Sequence, residues 1–241
     1  AVRTLTEDDT EGAVTLSIDY LDLAGNAGAQ TTAATDGSVV TFDKTVPVFT
    51  AVTSVSNNTY DPSLSMVGDI ITVTMVASEN TRAPDVTIGD TLATVTGSGT
   101  TWTAVRALTA DDTEGAIALS IDYLDLAGNA GGQTTAATDS SVITFDKTAP
   151  VISAVTAVSN NANTAYAMVG DIITVTMVAS ESTQSPDVTI GGTIASVSGD
   201  GTTWTAVRTL TADDTEGAVT LSIDYLDLAG NAGAQTTAAT D

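Results

Sequence analysis

The sequence predicts an all-β chain, organised as a string of two-layer Greek-key sandwiches of about seven strands each. Three observations carry this. Val, Ile, Thr and Ala dominate, while aromatic residues make up only 4% of the chain, and β-branched side chains suit a pleated, half-buried surface. Apolar and polar residues alternate with period two in short runs separated by turn residues. The sequence also repeats itself about every 100 residues, the size of one small sandwich and too long for a solenoid unit.

The repeat sets the domain organisation. Gly12–Asp36 recurs unchanged at Gly217–Asp241, with a close variant at Gly115–Asp139. FDKT stands at Phe42–Thr45 and at Phe145–Thr148, and MVGDIITVTMVASE at Met66–Glu79 and Met168–Glu181. Residues 44–146 read as one complete copy. Residues 1–43 read as the C-terminal part of a preceding copy, and 147–241 as a copy lacking its last strand. Both ends read as cuts through a longer array.

Within the complete copy the strands are expected in this order. Val48–Val55 comes first, then Asp69–Ser78, where Ile71, Val73 and Met75 alternate with Thr72 and Thr74. Asp85–Ile88, Leu92–Thr96 and Trp102–Leu108 follow. Gly115–Leu124 points Ile117, Leu119, Ile121 and Tyr123 inward, and Ser141–Phe145 closes the unit. Asn57-Asn58, Gly68, Pro84, Gly97-Ser98-Gly99 and Gly128-Asn129 supply the turns between them. Trp102 and its equivalent Trp204 are expected as core anchors. Asp69 and Asp171, each following a glycine, are expected as turn residues.

Composition narrows the function. With 30 acidic and 6 basic residues the formal net charge is −24, which opposes binding to nucleic acid or to an anionic membrane surface. No apolar run approaches the roughly 20 residues of a spanning helix. There is no Cys and no His, so disulfides, thiolate sites and the commonest general base are absent. Oxygen ligands are plentiful, and they suit hard cations such as Ca²⁺. The adjacent Asp111 and Asp112, which recur in every copy, form a catalytic-looking pair, but with no sign of a cleft or of sugar-binding aromatics an enzyme is not expected.

MVGDIITVTMVASE, PDVTIGD, TWTAVRALTADDTEGAIALSIDYLDLAGNAG and VITFDKTAPV, in that order, resemble the bacterial Ig-like tandem repeats of giant surface adhesins. The resemblance spans the whole chain. It implies immunoglobulin-like sandwiches, an extracellular or cell-surface location, stalk or adhesion repeats, and often Ca²⁺ at the domain junctions. It names no receptor.

The acids gather where such domains would meet. Topology brings the linker to the next domain's corners after its second and sixth strands. The first joint then collects Asp43, Glu79, Asp125 and Asn129, with Asp8, Asp9 and Glu11 approaching more weakly from the previous domain. The second collects Asp146, Glu181, Asp227 and Asn231, with Asp111, Asp112 and Glu114. Clustered carboxylates repel, and a dication taking 6–8 oxygen ligands relieves the repulsion, with Asn129 lending a neutral carbonyl. Two readings stay open: Ca²⁺ ties each joint, or the acids are solvated turn residues. The expected function is a calcium-rigidified structural or adhesive stalk, whose partners are its neighbouring repeats and an unidentified host or surface receptor. The alternative is a repeat that assembles with identical chains into a filament or surface layer by strand addition.

Overall fold

The computed structural model describes residues 1–238. The described residues are all-β. The period-two runs form antiparallel ladders, and residues 44–146 close as a two-sheet sandwich. One sheet orders Phe49–Ser56, Ile70–Ala77, Thr101–Ala107 and Thr94–Ser98. The other orders Leu119–Asp122, Asp85–Ile88 and Thr91–Leu92. Residues 147–238 repeat both sheets: Ile152–Ser159, Ile172–Ala179, Thr203–Thr209 and Ser196–Asp200 face Leu221–Asp224, Asp187–Ile190 and Thr193–Ile194.

The core follows from the alternation. Ile71, Val73 and Met75 are buried on one side of their strand, against Val86, Ile88, Ile121 and Phe145 from across the sandwich. Trp102 packs in this cluster, and its indole N–H donates to Thr81 Oγ1 at 2.8 Å; Trp204 and Thr183 repeat the bond at 2.8 Å. A buried indole N–H needs such an acceptor. Tyr123 stacks at a tilt on Phe49, and its hydroxyl accepts the Phe49 backbone N–H. That bond ties the strand leaving the linker to the strand that leads into the Asp125–Asn129 turn.

Three expected strands come out differently, two of them because the chain changes ladder partner. Leu92–Thr96 divides at buried Ala93 into Thr91–Leu92, paired with Thr87–Ile88, and Thr94–Ser98, paired with Thr101–Val105 in the other sheet. Gly115–Leu124 divides into Gly115–Ala116, paired with Thr144–Phe145, and Leu119–Asp122, paired with Asp85–Ile88. The closing strand shortens to Thr144–Phe145, which also pairs in parallel with Leu64–Ser65. The chain turns straight back after Asn129, so that Ala130 and Thr134 bridge Leu124 and Ile121. That return, AGGQTT, carries no bulky apolar residue and so has no period to read.

Residues 1–43 fold locally. Gly12–Ala13 pairs with Thr41–Phe42, and Ile18 and Leu21 bridge Thr31 and Ala27. Val14, Leu16, Ile18 and Tyr20 stay exposed, although Ile121 and Tyr123, the equivalents of the last two, are buried in the complete sandwich.

Candidate metal centre

Each linker ends in a cluster of three carboxylates. Asp43, Glu79 and Asp125 bring one oxygen apiece to within 4.8 Å of one another, and Asp146, Glu181 and Asp227 do the same at the second joint. The fold delivers them from three directions. The linker carries Asp43 or Asp146. Glu79 and Glu181 lie just beyond the long strands Ile70–Ala77 and Ile172–Ala179. Asp125 and Asp227 begin the D-L-A-G-N turn, held against the neighbouring corner by bridges to Thr81 and Thr183. The indole bonds described above therefore fix the residues that carry the cluster.

Asp125 and Asp227 are buried. The Gly128 and Asn129 N–H groups donate to Asp125 Oδ1 at 2.6 and 2.8 Å, and Asn129 Nδ2 donates to Oδ2 at 2.7 Å. Burial pushes the Asp125 carboxyl up, but the hydrogen bonds from Asn129, Gly128 and Ala127 outweigh it and hold it below its ordinary value. Asn129 Nδ2 also donates to the Asp43 carbonyl at 3.2 Å, and Asn231 repeats this on Asp146 at 3.1 Å. The asparagine was expected to offer its carbonyl; instead it directs its amide nitrogen at this cluster, clamping the turn to the linker. Gly128 makes the turn at φ 105°, in the left-handed region that favours glycine.

The opposing members of each cluster are held by fewer donors: Asp43 and Asp146 each accept one backbone N–H, from Thr45 at 3.1 Å and from Thr148 at 3.0 Å. Glu79 is pushed up by burial and then by the charges of Asp43, Asp125 and Glu11. Glu181 is raised by burial and by Asp146, Asp227 and Glu114, and Asp146 is raised by burial, with Asp227 and Glu114 adding to it against the Thr148 N–H, which lowers it. Glu79 Oε1 is buried with no hydrogen-bond partner among the described residues. A buried carboxylate oxygen facing two other carboxylates is a costly arrangement, and a cation relieves it.

The acids of the preceding turn separate by role. Glu11 and Glu114 do reach the joints: Glu114 Oε1 accepts the Lys147 N–H and the Thr148 hydroxyl, both at 2.8 Å, and Glu11 does the same with Lys44 and Thr45. Asp9 and Asp112 do not join the clusters. Asp112 is ion-paired to Arg106 at 2.6 Å and accepts the Thr109 N–H at 2.7 Å, while Asp9 pairs with Arg3 and Thr6. Such a carboxylate has spent its oxygens on closing its own turn. Asp8 and Asp111 are exposed and outside both clusters. Asp69 serves its turn, accepting the Met66 N–H and the Asn58 amide, as Asp171 does with Met168 and Asn161.

Sequence reasoning missed the Arg106–Asp112 pair, the Thr81 acceptor and the tyrosine hydroxyl. Their only signal was recurrence at equivalent positions: Arg208 with Asp214, Thr183, and Tyr225. No family model matches the chain, and no curated protein is significantly similar to it.

Proposed function

We propose that the chain is a structural or adhesive extracellular repeat, a stalk segment whose joints are stiffened by Ca²⁺. The observation that supports it most is the same three-carboxylate cluster at both linkers, with Glu79 Oε1 buried and unpartnered in the first. At each joint the linker acid and the two corner acids would hold the ion, with Glu11 or Glu114 reaching in from the previous repeat. Bound there, the cation supplies charge neutralisation and cross-links the linker to two corners of the following sandwich. The interchangeable sandwich bodies fit a spacer, in which length is the useful property.

The test is calcium titration against chelator, followed by melting temperature and small-angle scattering. The expected result is a higher melting temperature and a narrower spread of molecular dimensions with Ca²⁺. Identical melting and identical dimensions in the two conditions would sink the calcium reading.

A further inference from the structure

The second joint holds a contact that owes nothing to the carboxylate cluster. The loop of residues 57–66 belongs to the complete sandwich but meets the D-L-A-G-N turn of the repeat that follows it in the same chain. Its shape is set locally. Asn58 Oδ1 accepts the Tyr60 and Asp61 N–H groups at 2.9 and 3.2 Å, and Asp61 Oδ1 accepts the Ser63 N–H at 2.8 Å. An amide nitrogen carries two hydrogens, and Asn58 uses both: Nδ2 donates to Asp69 Oδ2 at 2.8 Å and, across the joint, to the Ala229 carbonyl at 2.7 Å. Tyr60 lies so close to Gly230 that a Cβ there would stand 2.5 Å from the ring, with Met66 Sδ at 3.4 Å. Ala229 is 1% exposed in consequence. At the same place in the first joint's turn Ala127 is exposed, and a Cβ on Gly128 would meet only Arg82 Nη2, at 3.7 Å.

The same loop is stitched to the linker. Leu64–Ser65 pairs in parallel with Thr144–Phe145. The Thr144 N–H donates to the Ser63 carbonyl and the Asp146 N–H to the Ser65 carbonyl, both at 2.9 Å. The chain thus enters the joint already fixed to the loop, and the following sandwich returns to that loop at Ala229 and Gly230. A linker by itself is a hinge, and small contacts between domains leave it free to swing. Here the linker stitch holds the two faces together at high effective concentration, so closing the contact costs little of the entropy of association. Attachments on two sides of the linker oppose rotation about it.

We propose that the 57–66 loop is a docking surface for the following repeat's Asp227–Asn231 turn, and that it sets the angle between the two sandwiches without a cation. Tyr60 is the residue on which this rests. Its ring covers Gly230, while its side chain takes no part in the bonds that shape the loop. None of the contacts at Ala229 and Gly230 involves a carboxylate of the cluster, so the joint keeps its orientation when no ion neutralises Asp146, Glu181 and Asp227.

The test is a distance measurement across the second joint with chelator present. The chain has no cysteine, so Leu92→Cys with Ile194→Cys introduces two thiols, at positions 68% and 82% exposed on equivalent strands of the two sandwiches. Spin labels there report the spread of separations by pulsed electron resonance. The parent pair is expected to give one narrow distribution. Tyr60→Ala, at a position 50% exposed, should leave the circular dichroism unchanged and lose the narrow distribution. Tyr60→Phe, which keeps the ring over Gly230, should retain it. A broad distribution in the parent pair, a narrow one in Tyr60→Ala, or a Tyr60→Phe chain as loose as Tyr60→Ala would each overturn the proposal. Because every sample is held in chelator, the outcome is independent of the calcium reading.

Discussion

Each repeat carries two sets of acids that look alike in sequence and behave oppositely in space. In the turn after the Thr101–Ala107 strand, Asp112 faces Arg106, the Thr109 N–H and the Thr109 hydroxyl. Burial works against its ionisation, the donors prevail, and the carboxyl stays below its ordinary value. At the joint, Glu79 faces Asp43 and Asp125 and is driven the other way. Acidity alone therefore says nothing about a metal. What distinguishes the sets is the charge that faces them: Asp112 has an arginine, whereas Glu79 has only other carboxylates and one oxygen with no donor.

The largest expected effect breaks the satisfied set. The Arg106 and Asp112 side chains are 10% and 7% exposed, so Arg106→Ala leaves a carboxylate buried without its counter-charge. Removing one partner of such a pair costs about 3–5 kcal/mol. Urea denaturation should show this loss, and Ca²⁺ should not restore it. Recovery on adding Ca²⁺ would mean that the two sets are not distinct.

The second expectation concerns the joint clusters. A ligand at about 100 times its Kd stabilises by about 2.7 kcal/mol. Calcium should therefore raise the melting temperature of wild type by several degrees, and the double substitution Asp125→Asn with Asp227→Asn should abolish the rise. Calorimetry measures both. A calcium response that survives the double substitution would place the ion elsewhere.

The third tests the scaffold between the sets. Trp102→Phe keeps the ring in the core but removes the donor to Thr81 Oγ1, leaving a hydroxyl that is itself buried. The cost should be about 1–3 kcal/mol. Because Thr81 bridges Asp125, calcium affinity at the first joint should fall while the second joint keeps its own. Unchanged affinity at the first joint would show that the bridge does not position Asp125.

Much of this was legible in the sequence, for physical reasons. Strands such as Ile70–Ala77 announce themselves because one face is buried, which forces the alternation of Ile71, Val73 and Met75 with threonine. Repetition located the linkers, and so placed Asp43, Glu79 and Asp125 at one corner, where the structure brings them together. Partners were not legible. Nothing in the order of residues says that Asp112 meets an arginine six positions earlier while Glu114 reaches across the linker to Thr148. The split of Leu92–Thr96 was hidden as well. A change of sheet at Ala93 depends on which ladder each half can join, and a small alanine looks the same in either.

The smallest expected effect, and the one most specific to the comparison, is on pH dependence. Glu79, Glu181 and Asp146 sit above their ordinary values of 4.5 and 3.8. The folded chain then holds these protons after the unfolded chain has released them. From those values upward, stability falls as pH rises, until the folded groups ionise too. Asp112, Asp125, Asp214 and Glu114 are held below theirs, so their contribution is lost as pH falls beneath the same values. The raised and the lowered groups thus act in adjoining windows with opposite slopes. In chelator, melting temperature should peak close to the ordinary carboxylate range and decline above it. Glu79→Gln with Glu181→Gln should flatten the decline on the upper side only, and in wild type calcium should do the same by neutralising the ionised cluster. A decline left unchanged by both treatments would mean that the joint carboxylates do not repel as their positions require.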